Sequence, residues 1–286
     1  MKKQQLLLAG AGIVILALLF FFGKTVTDKK PTPAENGMAK VAPTFNFEEY
    51  LEKEKKNLTP SQSNYLGKIE NSVSRGAVKA QEIKMYEDLA AFWKDSVRQP
   101  ELYTFYLGKA AKLVNSEKNL TFAAQLTLSD LRHEQDLVKR GWKAEQAVAL
   151  FNQALELNPE SDSLKLGLGS CYVFGKGMAG DANETMKGIQ VLLQLVRKDS
   201  MNMQAQLVLG IGGVVSTQYD KAVDRLLRVI KYQPDNVEAV SWLADAYSAK
   251  GDKENAIKWY EVSKKMINNP DYSKEVDERI KALKTK

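Results

Sequence analysis

The chain has 286 residues, 44% of them hydrophobic, enough to bury a sizeable core. Its net charge of +6 is concentrated at the N-terminus: residues 1–30 hold five lysines against one aspartate, leaving a surplus of two for the rest. The basic folded face that a nucleic-acid binder needs is therefore excluded, and a single cysteine (Cys171) beside a single histidine (His133) excludes an intramolecular disulfide and disfavours a metal site within one chain.

At the start of the chain, Lys2 and Lys3 precede an uninterrupted apolar run from Leu6 to Phe22. At 1.5 Å per residue a helix of this run spans roughly 25 Å, at the short end for crossing a bilayer. A cleaved signal peptide is the alternative. The run, however, ends in Phe20-Phe21-Phe22-Gly23-Lys24, which offers no small-x-small cleavage site. Residues 1–23 are therefore expected to be a transmembrane signal anchor with its N-terminus in the cytoplasm, since two lysines sit in a short leader. The bulk of the chain then lies outside the cytoplasm, in the periplasm of a cell with two membranes. Residues 24–43, with Pro31, Pro33, Gly37 and Pro43 and few apolar side chains, read as a flexible tether.

From Phe45 onward helical spacing recurs and period-2 alternation does not, so the folded part is expected to be all-α. Thr44 is placed to cap a short charged helix ending near Asn57. Thr59-Pro60-Ser61-Gln62 then gives a cap, a first-turn proline and a capping-box glutamine for a helix to about Arg75, which Gly76 can end. A longer helix is predicted over about 78–97, with Ile83, Tyr86, Ala90 and Trp93 on one side. Pro100 opens another, and Ser116 caps the one that follows. Residues 44–127 form an N-terminal helical region, in which Leu107-Gly108 hints at a degenerate repeat.

The second half repeats itself. Leu209-Gly210 aligns with Leu243-Ala244, Ala222-Val223 with Ala256-Ile257, and Leu226 with Tyr260. The common offset of about 34 residues is that of a helix–turn–helix repeat. One such unit cannot bury its apolar faces alone, so copies must stack. Residues 237–270 and 203–236 make full units, and 162–202 a longer one whose surplus lies in Gly175–Gly180. Residues 128–161 match only in their second helix, at Ala147, Phe151, Ala154 and Pro159. With Leu243, Ala244, Tyr247, Gly251, Ala256 and Tyr260 in register, the chain resembles the tetratricopeptide repeat family, in its membrane-anchored bacterial form. The resemblance implies an array over 128–270, a right-handed superhelix of antiparallel helix pairs, closed by a capping helix over 271–286.

Candidate chemistry is sparse. Gly169–Gly177 approaches a phosphate-binding loop but has five residues between its first two glycines and no Ser or Thr after Lys176; an irregular inter-helix loop is expected instead. Gly210-Ile211-Gly212-Gly213 fails the dinucleotide pattern, because Val215 stands where the last glycine belongs; close packing accounts for Gly210 but gives no firm account of Gly212 and Gly213. His133, among Arg132, Glu134 and Asp136, reads as a solvated surface side chain, and Cys171 as a small buried thiol. No nucleophile–base constellation points to an enzyme, and no cofactor, metal or small-molecule substrate is expected.

The resemblance implies a concave groove lined by the first helix of each unit. Carried over residue by residue, this places Leu166, Ser170, Val173 and Phe174 in the groove, followed by Leu207, Ile211, Val214 and Val215. The last unit adds Ser241, Asp245, Ser248 and Ala249. The lysines and asparagines with which some family members grip a terminal carboxylate are missing from these positions. The expected surface is apolar, turning polar toward the C-terminus, and suits an amphipathic or apolar segment of a protein partner. The chain's own N-terminal helices, or a second copy, are the competing occupants. The expected role is a membrane-tethered, non-catalytic scaffold; the alternative is a periplasmic holdase-like chaperone or a secretion accessory factor with many clients.

Overall fold

The computed structural model describes residues 44–73 and 78–285, and every regular element among them is a helix. The apolar run at 6–22 and the tether at 24–43 lie outside the described residues. Among the described residues no helix is long and apolar enough to cross a membrane.

In chain order the helices are α1 (Phe47–Lys56), α2 (Pro60–Glu70), α3 (Lys79–Ala91), α4 (Pro100–Val114), α5 (Glu117–His133), α6 (Leu137–Leu157) and α7 (Asp162–Tyr172). They continue with α8 (Ala182–Lys198), α9 (Met203–Val215), α10 (Tyr219–Tyr232), α11 (Val237–Lys250), α12 (Lys253–Ile267) and α13 (Pro270–Thr285). Two of them run on through π turns: α3 through Phe92–Val97 and α7 through Val173–Gly177.

Local side-chain chemistry sets most of the starts. Thr59 and Gln62 form the reciprocal capping box at α2, and Pro60 and Pro100 occupy first-turn positions where a missing N–H costs nothing. Asn46, rather than Thr44, caps α1 by accepting from the Glu49 amide. The repeat region uses Ser, Asp or Asn caps almost throughout: Ser116, Asp136, Ser161, Asp181, Asn202, Asn236 and Asp252 each accept from a first-turn amide. Left-handed residues stop α4 at Asn115, α11 at Gly251 and α12 at Asn268.

Successive helices pack against one another as pairs α3/α4, α5/α6, α7/α8, α9/α10 and α11/α12, and α5, α7 and α9 also touch the next first helix. This is the nearest-neighbour pattern of a helical repeat array. The helix paired with α6 is α5, which begins at Glu117, so position 128 falls inside a helix rather than at a boundary. The terminal helix α13 starts at Pro270 and buries Val276 and Ile280 with Ala244, Ala256 and Tyr260.

Small residues sit where paired helices cross. Ala222 is fully buried, and a Cβ added at Gly213 would stand 3.1 Å from its Cβ and 3.2 Å from its Cα. One at Gly212 would lie 3.3 Å from Ile189 and 3.4 Å from Val173. Close approach on two sides of α9 thus explains both glycines, despite a helical cost of about 1 kcal/mol each relative to alanine.

The glycine-rich stretch after α7 is irregular, as expected, but its first half is buried instead of lying in a surface loop. Val173, Phe174, Gly175 and Gly177 are buried in the π turn, and irregular turn structure begins only at Met178. Gly175 leaves helical dihedrals (φ −82°, ψ −117°), and any side chain there would overlap the Ala144 methyl of α6. The extra residues of this unit are therefore divided between a kinked, buried helix end and the turn at 178–180.

A charged joint ties the N-terminal helices to the array. The Lys143 side chain on α6 is 2% exposed, with Nζ 2.8 Å from Asp130 Oδ2 and 2.8 Å from Glu134 Oε2, and 3.4 Å from Glu101 Oε1. Tyr50 of α1 reaches the same cluster by donating to Glu101 Oε2. Nearby, Phe45 and Phe47 pack on Trp142 of α6, with ring centroids 4.9 and 5.3 Å away.

Candidate protein-binding groove

The first helices α5, α7, α9 and α11 share one face of the array, and that face curves inward. Two first helices separate α5 from α11, yet Arg132 of α5 pairs with Glu238 in the first turn of α11. The Arg132 guanidinium also lies 4.5 Å from the ring centre of Phe174. A contact between residues so far apart in sequence requires the intervening helices to wrap around the side on which it forms.

This wrapping decides the fate of the sequence-derived groove residues. On α7, Val173 is 0% exposed, Ser170 and Phe174 are buried, and Leu166 is half-buried. On α9, Leu207 is buried and Ile211 is 0% exposed, whereas Val214 and Val215 are half-buried. Val173, Phe174, Leu207 and Ile211 belong to one core cluster with Leu131 of α5 and Ala144 of α6. Ser170 turns its hydroxyl back to the Leu166 carbonyl. These five side chains face protein, and the end of α5 supplies part of the cover.

At the other end α13 takes the place of a next first helix. Asp245 Oδ1 accepts from Tyr260 Oη at 2.6 Å and from Arg279 Nη1 at 2.7 Å, and Ser241 Oγ lies 3.2 Å from Tyr272 Oη. Burial pushes the Asp245 carboxyl up despite both donors. Burial and the facing carboxylate likewise push the Tyr260 phenol up to about 12. Ser248 is half-buried and Ala249 exposed. Of the proposed lining, Leu166, Val214, Val215, Ser248 and Ala249 keep open surface and no polar tie to another helix.

Sequence reasoning did not find Arg132 and Glu238, because an ion pair between first helices depends on superhelical curvature. It also missed an apolar cleft of about 750 Å³ outside this face. Leu107, Ala110 and Val114 of α4 and Phe122 of α5 line it, and Phe122 is 57% exposed. An exposed phenylalanine one turn into a capped helix was the available signal.

The candidate reactive residues sit in unreactive settings. His133 is exposed and its Nδ1 lies 2.8 Å from the Ser129 carbonyl. Cys171 is buried, and burial pushes its thiol far up, away from the reactive thiolate. Among the described residues no group of three His, Cys, Asp or Glu side chains is arranged to hold a metal ion. In the Lys143 cluster burial opposes the charge on Glu134, but the Lys143 hydrogen bond and the Asp136 amide outweigh it and hold the carboxyl low. The Lys143 ammonium is held up by Asp130 and Glu134 against the same burial. Both groups are thereby fixed in their charged forms, which suits a structural joint.

With this geometry in place, the family model described as tetratricopeptide repeat matches residues 214–272, from the end of α9 to the start of α13. Among solved structures the chain resembles MamA 41-end from Desulfovibrio magneticus RS-1 at 17% identity and a TM-score of 0.47, covering 66% of this chain and 97% of that one. PilW, a widely conserved type IV pilus biogenesis factor, aligns at 17% identity and a TM-score of 0.45, over 70% of this chain and 92% of its own. YrrB, a tetratricopeptide repeat protein with an unusual peptide-binding site, aligns at 15% identity and 0.45, over 70% and 92%. No curated protein matches the chain by sequence.

Proposed function

We propose that this chain is a non-catalytic, membrane-tethered scaffold that binds an apolar or amphipathic segment of a protein partner on the extracytoplasmic side. The tether and the address rest on the sequence alone: the apolar run Leu6–Phe22, the leader lysines Lys2 and Lys3, and the proline-bearing segment after them. The binding role rests on the stacked helix pairs and on the tetratricopeptide match at 214–272.

The observation that carries the reading is the half-buried pair Val214 and Val215 at the end of α9, beside the fully buried Ile211. Adjacent apolar side chains left partly open on the inward face of a repeat array give an amphipathic segment a place to bury its apolar side. The site is shorter than the whole face, because α5 and α13 occupy its two ends.

The test is Val214→Asp with Val215→Asp in the full chain. Proteins recovered by crosslinking in membranes are compared with wild type, and circular dichroism verifies folding. Loss of one stoichiometric partner is expected. Unchanged recovery by the folded variant overturns the groove reading, and broad suppression of aggregation of unrelated proteins moves the assignment to a chaperone. Ile211→Asp is unsuitable, because a charge at a fully buried site destabilises the fold itself.

A further inference from the structure

A second site lies between the second helices α8 and α10, away from the groove. A crevice of about 340 Å³ there is lined by Val196, Ser200, Gln206, Asp224 and three cations of α10, Lys221, Arg225 and Arg228. The cations are spaced four and three residues apart, which puts them on one stripe of the helix. Asp224 is the single acid among them.

The arrangement is built from below. Gln206 of α9 is 4% exposed, donates from Nε2 to the Ser200 carbonyl at 3.0 Å, and accepts on Oε1 from Arg225 Nη1 at 2.6 Å. A buried amide thus fixes one edge of the Arg225 guanidinium and leaves its remaining N–H groups directed elsewhere. Lys221 bonds the neutral Gln218 side chain at 2.9 Å. Among the described residues none of the three cations has a carboxylate within ion-pair distance; Lys221 and Arg228 are exposed, but Arg225 is half-buried, and the half-buried or buried cations Lys139, Lys143, Lys165, Lys176 and Lys264 each have one. Burial, and then the positive charge of Arg228, both depress the basicity of Arg225. A half-buried guanidinium beside a second one, with Asp224 the single acid of the lining and beyond ion-pair distance, is unfavourable, and a bound anion reduces that cost.

We propose that this crevice binds a phosphate group, gripped by Arg225 and Arg228 with Lys221 at the rim. Planar guanidinium groups fork two N–H donors onto oxyanion oxygens, and a dianion matches the surplus of two positive charges left after Asp224. A phosphate group reaches the site either as a free soluble ion or as the headgroup of a membrane lipid.

Calorimetric titration of the full chain with inorganic phosphate, and separately with a short-chain phosphatidate below its micelle concentration, distinguishes the sources. Equal affinity for both assigns a soluble phosphate, and clearly tighter phosphatidate binding assigns the lipid headgroup; each supports the site. Arg225→Gln with Arg228→Gln is expected to weaken binding at least about 10-fold, the loss of one or two charge-assisted hydrogen bonds. Arg225→Lys with Arg228→Lys keeps the charge but loses the forked donors, so its affinity is expected to fall between wild type and the glutamine pair, with circular dichroism unchanged in both. Absence of binding to either probe, or binding that survives the glutamine pair, overturns the proposal.

Discussion

Lys143→Met tests the charged joint between the N-terminal helices and the array. The substitution keeps the unbranched stem, one heavy atom shorter, and removes its charge, so Asp130, Glu134 and Glu101 lose the ammonium that lies 2.8, 2.8 and 3.4 Å from them. Removing one partner of a buried ion pair costs about 3–5 kcal/mol, because the other charge stays buried without compensation. For a domain of this size such a loss lowers Tm by roughly 6–20 °C. The pH dependence gives the sharper signature. Glu134 is held low in the folded chain, so its stabilisation is present above the ordinary carboxylate pKa and is lost as pH falls through the folded value. Lys143 is held high, so its part is present below the ordinary lysine pKa and is lost as pH rises through the folded value. The deficit of the variant is therefore largest between the two and shrinks toward acid pH, where the orphaned Glu134 carboxyl protonates. Urea denaturation of wild type and variant at several pH values measures it. A deficit below about 1 kcal/mol, the range of exposed ion pairs, or one independent of pH, refutes the reasoning.

Gly175→Val drives a branched side chain into the Ala144 methyl and is expected to cost at least the 1–3 kcal/mol or so of an overpacked core, read as a lowered urea midpoint. Asn236→Ala removes the side chain that accepts from the Ala239 amide at 2.9 Å; a loss of about 1 kcal/mol is expected, and Asn236→Asp largely restores it. Arg132→Ala breaks the contact to Glu238 and uncovers Phe174. Both partners of that pair are partly exposed, so stability should change by less than about 1 kcal/mol while recovery of a groove-bound partner rises.

The parts of the fold legible in the sequence are those governed by neighbours a few residues apart. Thr59-Pro60-Ser61-Gln62 specifies a helix start because the cap, the proline and the reciprocal glutamine act within one turn. The repeated Leu, Gly and Ala positions specify helix pairs because a crossing tolerates only small residues at its closest point, as Gly213 against Ala222 demonstrates. Where a longer-range contact decides, the reading fails. Gly175 to Gly180 read as an irregular loop because glycines cluster there, which holds for the turn at 178–180, whereas Ala144 of another helix selects Gly175 as the residue that fits a buried π turn. Lys143 carries no local sign of burial, since its acceptors come from three different helical positions before it.

The groove was harder to read for the same reason, and the error has a direction. Position within the repeat identifies which side chains face inward, but not how tightly the array curves. Here the curvature is enough for Arg132 and Glu238 to meet, so Val173, Phe174 and Ile211 become core instead of surface. The C-terminal helix does the equivalent at the other end, where Arg279, with Tyr260 of α12, bonds Asp245 Oδ1. An inward face sealed at both ends leaves its middle, Val214 and Val215, as the place where a partner gains most by burying apolar surface without first displacing a helix. Burying two half-open valines is worth only about 1–3 kcal/mol in total, so tight binding at this site requires further contacts. The contact with Arg132 is the nearest one available to be broken: a partner that supplies an acidic residue to replace Glu238 and an apolar one to cover Phe174 would recover what it displaces.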